Sequence, residues 1–116
     1  MEEIKFRAFH RKTKEWWYFD LNDLLRSEEL KKNWYWLEQR SLYTGRKDKY
    51  GKEIYEGDII DEETPSARRY QVRWVDDGFC LSIPPYHTRH FRDASHMKVI
   101  GNMVENPELW ENTNQP

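Results

Sequence analysis

From Ile4 to Phe9 the chain alternates, with Ile4, Phe6 and Ala8 on one side and Lys5, Arg7 and Phe9 on the other. That is the period of a half-buried strand, which sends Lys5 and Arg7 outward together. A polar break at His10 to Lys14 leads into "EWWYFDL", and the two runs predict a hairpin with a loop of about five residues. In its second strand Trp16 and Tyr18 face away from Trp17 and Phe19. "NDLLRSEELKK", from Asn22 to Lys32, spaces leucines among polar residues, with Asn22 as N-cap and lysines at the far end, so one short helix is predicted. The aromatics of "NWYWLEQRSLYTG" favour a strand ending at Thr44-Gly45.

The stretch from Ser41 to Ile60 packs glycines between charges and ends in plain hydrophobics. Asp48 to Gly51 reads as a tight turn closed by Gly51, and Gly57-Asp58 as a second turn delivering Ile59 and Ile60 into a strand. "DEETPSARR" is a charged loop and the expected flexible site. "YQVRWV" and "FCLSI" alternate around Asp77-Gly78, a hairpin signal. "PPYHTRHFRDAS" lacks periodicity and reads as an irregular excursion. "HMKVIGNMVEN" is a final strand with a bulge or bend at Gly101. "NPELW" reads as one helical turn and "ENTNQP" as a fraying end. Short, closely spaced strands with one or two brief helices predict a mainly β domain, a small barrel or strongly curved antiparallel sheet. One domain is expected over residues 1–110, with 111–116 as a frayed tail.

Hydrophobic residues make up 37% of the 116, but aromatics reach 16%, with six Trp and seven Tyr. Core volume therefore comes from a few large rings. Charged residues are 34% and the net charge is -2, so both signs cover the surface and any nucleic-acid surface must be local. The single cysteine, Cys80, excludes an intrachain disulfide and a four-thiolate zinc site. With no signal-peptide core and no run of eighteen apolar residues, a soluble, unprocessed cytoplasmic protein with no membrane association is expected.

"IKFRAFH" near the start, "YTGRKDKYGKEIYEGDII" in the middle and "VIGNMVENPELW" near the end together resemble the YopX family of bacteriophage and prophage proteins. The resemblance runs from Ile4 to Trp110. It implies a small, mainly β, barrel-like protein made inside the bacterial host and prone to oligomerise, and it brings no established activity, cofactor or catalytic residue. Physically the middle motif reads as architecture. Gly45, Gly51 and Gly57 set backbone turns, Asp48 caps one of them, and Asp58 holds the amides of the next, as at the strand entrances of SH3-like barrels. Gly101 completes the structural set.

Candidate chemistry is sparse. Cys80, His87, His90 and His96 match no paired-ligand metal spacing, and Cys80 between Phe79 and Leu81 reads as a small core residue. Glu53, Glu56, Asp58, Asp61, Glu62 and Glu63 form a dense acidic run that reads as a solvated face. No phosphate loop, dinucleotide fingerprint or nucleophile elbow occurs, so no enzyme and no cofactor are expected. Lys5, Arg7, Arg11, Lys12 and Lys14 fall on one hairpin near Phe9, Trp16 and Trp17, and Arg73 belongs to a second basic supply. Cations interleaved with rings are what a single-strand binder needs. The leading expectation is a non-enzymatic phage or prophage accessory protein that self-associates and acts by binding, its target left open between nucleic acid and a host or phage protein. The alternative is a nucleic-acid-binding β-barrel using those bases.

Overall fold

The computed structural model describes residues 4–62, 69–75, 78–83, 87–90 and 96–109. The expectations for the charged loop around Pro65, for the hairpin loop at 76–77 and for the tail lie outside them. The protein is mainly β, and its strands sort into two antiparallel sheets. The first contains β1 (Lys5–His10), β2 (Glu15–Asp20), β3 (Leu37–Lys47) and β4 (Glu53–Tyr55) in the order β2-β1-β3-β4. The second contains β5 (Asp58–Asp61), β6 (Arg69–Val75), β7 (Gly78–Ile83), β8 (His87–His90) and β9 (Lys98–Asn102) in the order β8-β7-β6-β5-β9. The chain passes between sheets at the Glu56-Gly57 turn.

Each sheet has its own hydrophobic cluster. In the first, Ala8, Phe19, Leu30 and Leu37 are buried with Phe6, Trp17 and Leu24 against them, so the alternation of β1 and β2 directs Phe6, Ala8, Trp17 and Phe19 to the helices. The second cluster joins Ile60, Tyr70, Val72, Leu81, Met97 and Val99 with Phe79 and also takes in Ile54, which β4 of the first sheet contributes across the seam.

The helical segment differs from expectation. Asp20, not Asn22, is the N-cap of α1 (Leu21–Arg26), in a capping box with Asp23. Ser27, extended at φ -73° and ψ 117°, breaks the helix, and its side chain accepts from the Leu30 amide to cap α2 (Glu28–Asn33). A serine that caps competes with continuation of the helix, so one expected helix is two. "WYW" (Trp34–Trp36) forms a single 3₁₀ turn, and β3 starts only at Leu37. Among the described residues no helix is long and apolar enough to cross a membrane.

Three further expectations shift. β3 does not stop at Thr44-Gly45: Gly45, at φ +84°, lies in a register shift between the Tyr43↔Tyr55 and Lys47↔Glu53 pairs, so it bends a strand that continues. Gly78 is not in the hairpin turn but pairs with Val75 inside β7. The segment after Pro84 contains β8, which pairs with β7 from Ile83↔His87 to Cys80↔His90. The side chains of His87 and His90 lie outside the described residues. The bend expected at Gly101 is present as a register shift between Ile59↔Gly101 and Ile60↔Val99. A Cβ on Gly101 would sit 2.7 Å from Asn106 Oδ1, so a larger residue there requires the Asn106 side chain to move.

Candidate functional site

The middle motif builds the seam between the sheets. Gly51 and Gly57 hold φ of +84° and +91°, a region that side-chain-bearing residues avoid. Asp48 is buried, and its carboxylate accepts from the amides of Tyr50 and Lys52 through Oδ1 and of Val99 through Oδ2, all at 2.9–3.0 Å. The same side chain therefore closes the turn and fastens it to β9. Burial alone would raise this carboxyl, but the Val99, Lys52 and Tyr50 amides outweigh it and hold the pKa below its ordinary value.

Asp58 does more than the turn role read from the motif. Its Oδ2 accepts from the Tyr55 amide at 2.8 Å, and its Oδ1 accepts from Arg7 Nη2 at 2.6 Å. The two side chains are 2% and 6% exposed. Burial pushes the Asp58 carboxyl up, with the Arg7 charge and the Tyr55 amide opposing. The Arg7 guanidinium lies between two rings, 4.3 Å from the Trp16 centroid and 4.9 Å from that of Tyr55. The outward placement expected for Arg7 is thus corrected: its strand face is covered by the β4–β5 turn. Strand period assigns Arg7 a face but cannot tell that another sheet covers it.

Lys5 shares that face and pairs with Glu53, whose pKa is lowered first by the hydrogen bond from Lys5. Tyr55 donates its hydroxyl to Glu53, and its pKa is raised, by burial first and then by the Glu53 charge. Trp16 Nε1 donates to Glu105 Oε1 at 2.6 Å, tying β2 to the turn after β9, and this bond, with one from Asn102, lowers the Glu105 pKa. A cleft of about 270 Å³ opens at this seam, lined by Arg7, Trp16, Gln39, Ser41, Gln71 and Arg73 among others. Gln39 and Ser41 reach it through a bulge: Arg7↔Ser41 is followed by Phe9↔Glu38, and Gln39 takes φ 52°.

The remaining basic residues separate. Arg11 lies 4.9 Å from the Tyr35 centroid and 5.2 Å from that of Trp36, and Lys12 lies 5.5 Å from Trp36. Arg40 stacks on Trp34 at 4.2 Å. Three cations thus face three consecutive aromatics, and Tyr35 is 76% exposed. Lys14 is exposed beyond this corner in a left-handed turn conformation, φ 64°. Arg73 belongs to the other sheet and lines the same cleft as Arg7 rather than joining the hairpin. Trp34, Tyr35 and Arg40 escape a reading of the sequence because the aromatics of "NWYW" favour a strand; as a 3₁₀ turn they present their rings beside the β1–β2 loop. His10, also basic, is structural: it is buried between Trp17 and Trp36, its Nδ1 accepting from the Thr13 amide, so that Nε2 donates to Asn33 Oδ1.

A third surface is apolar. Ile4, Tyr18, Leu21 and Leu25 are exposed, Tyr18 to 61% and Leu25 to 66%. Ile4, Tyr18 and Leu21 line a shallow depression of about 520 Å³ with Tyr55, and Leu25 is one helical turn beyond Leu21. β2 is an edge strand of its sheet. Among the described residues no three His, Cys, Asp or Glu side chains gather as metal ligands. Cys80 is half-buried, its thiol 3.9 Å from the Gly78 carbonyl.

No curated protein matches the chain. In fold it is similar to the crystal structure of protein EF1440 from Enterococcus faecalis, with 21% identity and a TM-score of 0.62 over 95% of this chain and 99% of that one. The family model described as YopX protein matches residues 5–111, taking in both sheets, the Asp48 turn and the Arg7–Asp58 seam, and the chain belongs to the YopX family.

Proposed function

We propose that the protein is a non-enzymatic phage or prophage accessory protein that works in the host cytoplasm by binding and self-association. The observation that carries this reading is the exposed apolar patch of Ile4, Tyr18, Leu21 and Leu25 beside the β2 edge. Contiguous large apolar side chains of this kind mark protein contacts. The occupant we assign is a second copy. Lys5, Asp20 and Asp23 line the same depression as its apolar residues, so both signs of charge accompany the patch and a second copy of it is electrostatically compatible. We take the five-stranded sheet, entered through the Gly57-Asp58 turn, as the SH3-like, barrel-like part of the family fold. Tyr18→Glu with Leu25→Glu tests the assignment by light scattering. The expected result is a lower mass than the parent protein with an unchanged circular dichroism spectrum; an unchanged mass removes the patch from the interface.

A second reading has its own observation. Arg11, Lys12 and Arg40 beside Trp34, Tyr35 and Trp36 combine cations with rings of which Trp34 and Tyr35 are exposed, the pairing that holds phosphates and stacks bases of a single strand. We assign any nucleic-acid binding to this corner rather than to Lys5 or Arg7. Titration of labelled single-stranded DNA, duplex DNA and RNA at two salt concentrations tests it. Binding that persists at the higher salt and is lost in Arg11→Glu/Lys12→Glu supports it. No binding to any of the three rejects it.

A further inference from the structure

We propose that the cleft between the sheets is a binding site for a small molecule bearing a phosphate or carboxylate group. The cleft encloses about 270 Å³, below the roughly 300–1,000 Å³ of drug-sized sites, so its occupant is an oxyanion with few other atoms. Arg7 lines it, and although this side chain is only 6% exposed, its Nε–H has no hydrogen-bond partner among the described residues. A buried donor left unpaired costs about 1–3 kcal/mol, and an acceptor oxygen entering the cleft relieves that cost.

A second cation is available to the same ligand. Arg73 is exposed and makes no ion pair among the described residues. Gln71 precedes it by two on β6 and therefore shares its face. On the opposite wall the β3 bulge holds Gln39 at φ 52°, a conformation uncommon for a residue with a side chain and concentrated at sites that position ligands. The Asn102 amide is committed, its oxygen accepting from Val104 and Glu105 and its nitrogen donating to Glu105. Among the described residues the Gln39 and Gln71 side-chain amides have no hydrogen-bond partner, and they face the ligand's polar body. Glu56 also lines the cleft and is the one carboxylate among its described residues. Arg40, whose guanidinium is engaged at Trp34, adds positive charge at the rim.

The full chain is titrated separately with inorganic phosphate and with acetate at constant ionic strength, following the Nε–H signals of Arg7 and Arg73 and the amide signals of Gln39 and Gln71 by NMR. The expected result is saturable shifts in this set, with the stronger response to phosphate or to acetate identifying the natural group. Arg7 anchors the fold, so the test variant is Arg73→Ala, expected to weaken binding about tenfold, as loss of one charge-assisted hydrogen bond does. Shifts that fail to saturate with both anions, that centre on Arg11 and Lys12 instead, or that survive Arg73→Ala unchanged overturn the proposal.

Discussion

Neutralising Asp58 removes the charge that faces Arg7 across the seam. Asp58→Asn keeps the volume and one acceptor oxygen for the Tyr55 amide, but leaves a guanidinium buried without its counter-ion. Removing one member of a buried pair costs about 3–5 kcal/mol. Here the Trp16 and Tyr55 rings, 4.3 and 4.9 Å from the guanidinium, retain about 0.5–2 kcal/mol of attraction for it. The expected loss is therefore near the lower end, about 3 kcal/mol. With a urea slope of about 2 kcal/mol/M, the midpoint moves down by about 1.5 M. Equilibrium urea unfolding followed by tryptophan fluorescence reads this directly. Arg7→Met and the Arg7→Met/Asp58→Asn double variant complete the cycle, and the double is expected to cost less than the sum by at least about 1.5 kcal/mol. A loss under about 1 kcal/mol for Asp58→Asn, the range of an exposed pair, or strict additivity in the cycle refutes the view that this pair joins the sheets.

Three other outcomes follow from the same geometry. Asp48→Asn removes a carboxylate whose pKa the surrounding amides hold below the ordinary aspartate value; since a lowered folded pKa gives stability present above the unfolded value and lost as pH falls through the folded one, the variant should lose about 1–3 kcal/mol near neutrality and show a flatter acid limb in thermal melts from neutral pH downward. Gly57→Ala, forced to φ +91°, should cost about 1–2 kcal/mol, whereas Gly78→Ala, with open space around its Cβ and no positive φ, should be nearly neutral in the same urea assay; equal effects would contradict the turn assignment. Arg11→Glu/Lys12→Glu should leave the stability within about 0.5 kcal/mol of the parent, and a larger loss would make the Trp36 stack structural rather than a binding surface.

Much of the architecture is readable in residue order because it rests on local rules. The alternation of β1, β2 and β6 is a two-residue period, and the Asp48 and Gly57 turns need a left-handed glycine and a short acceptor side chain, both visible in the string. What escapes is set by contacts distant in sequence. Arg7 and Asp58 are 51 residues apart, and nothing near Arg7 announces that the β4–β5 turn will cover its face. Ser27 is one polar residue in a helical pattern, and only its bond to Leu30 turns it into a break. Gln39 looks like an ordinary strand residue, and the bulge that carries it to the cleft arises from pairing with β1. The basic cluster of the first hairpin therefore divides: Lys5 and Arg7 enter the seam, while Arg11 and Lys12 join an aromatic turn that strand propensity alone misassigns.

Association with a second copy through the exposed apolar patch is tested most directly by sedimentation velocity of the unmodified chain across a wide concentration range. The expected result is a species heavier than the 14.3 kDa chain that dissociates on dilution. A single 14.3 kDa species at every concentration would contradict it.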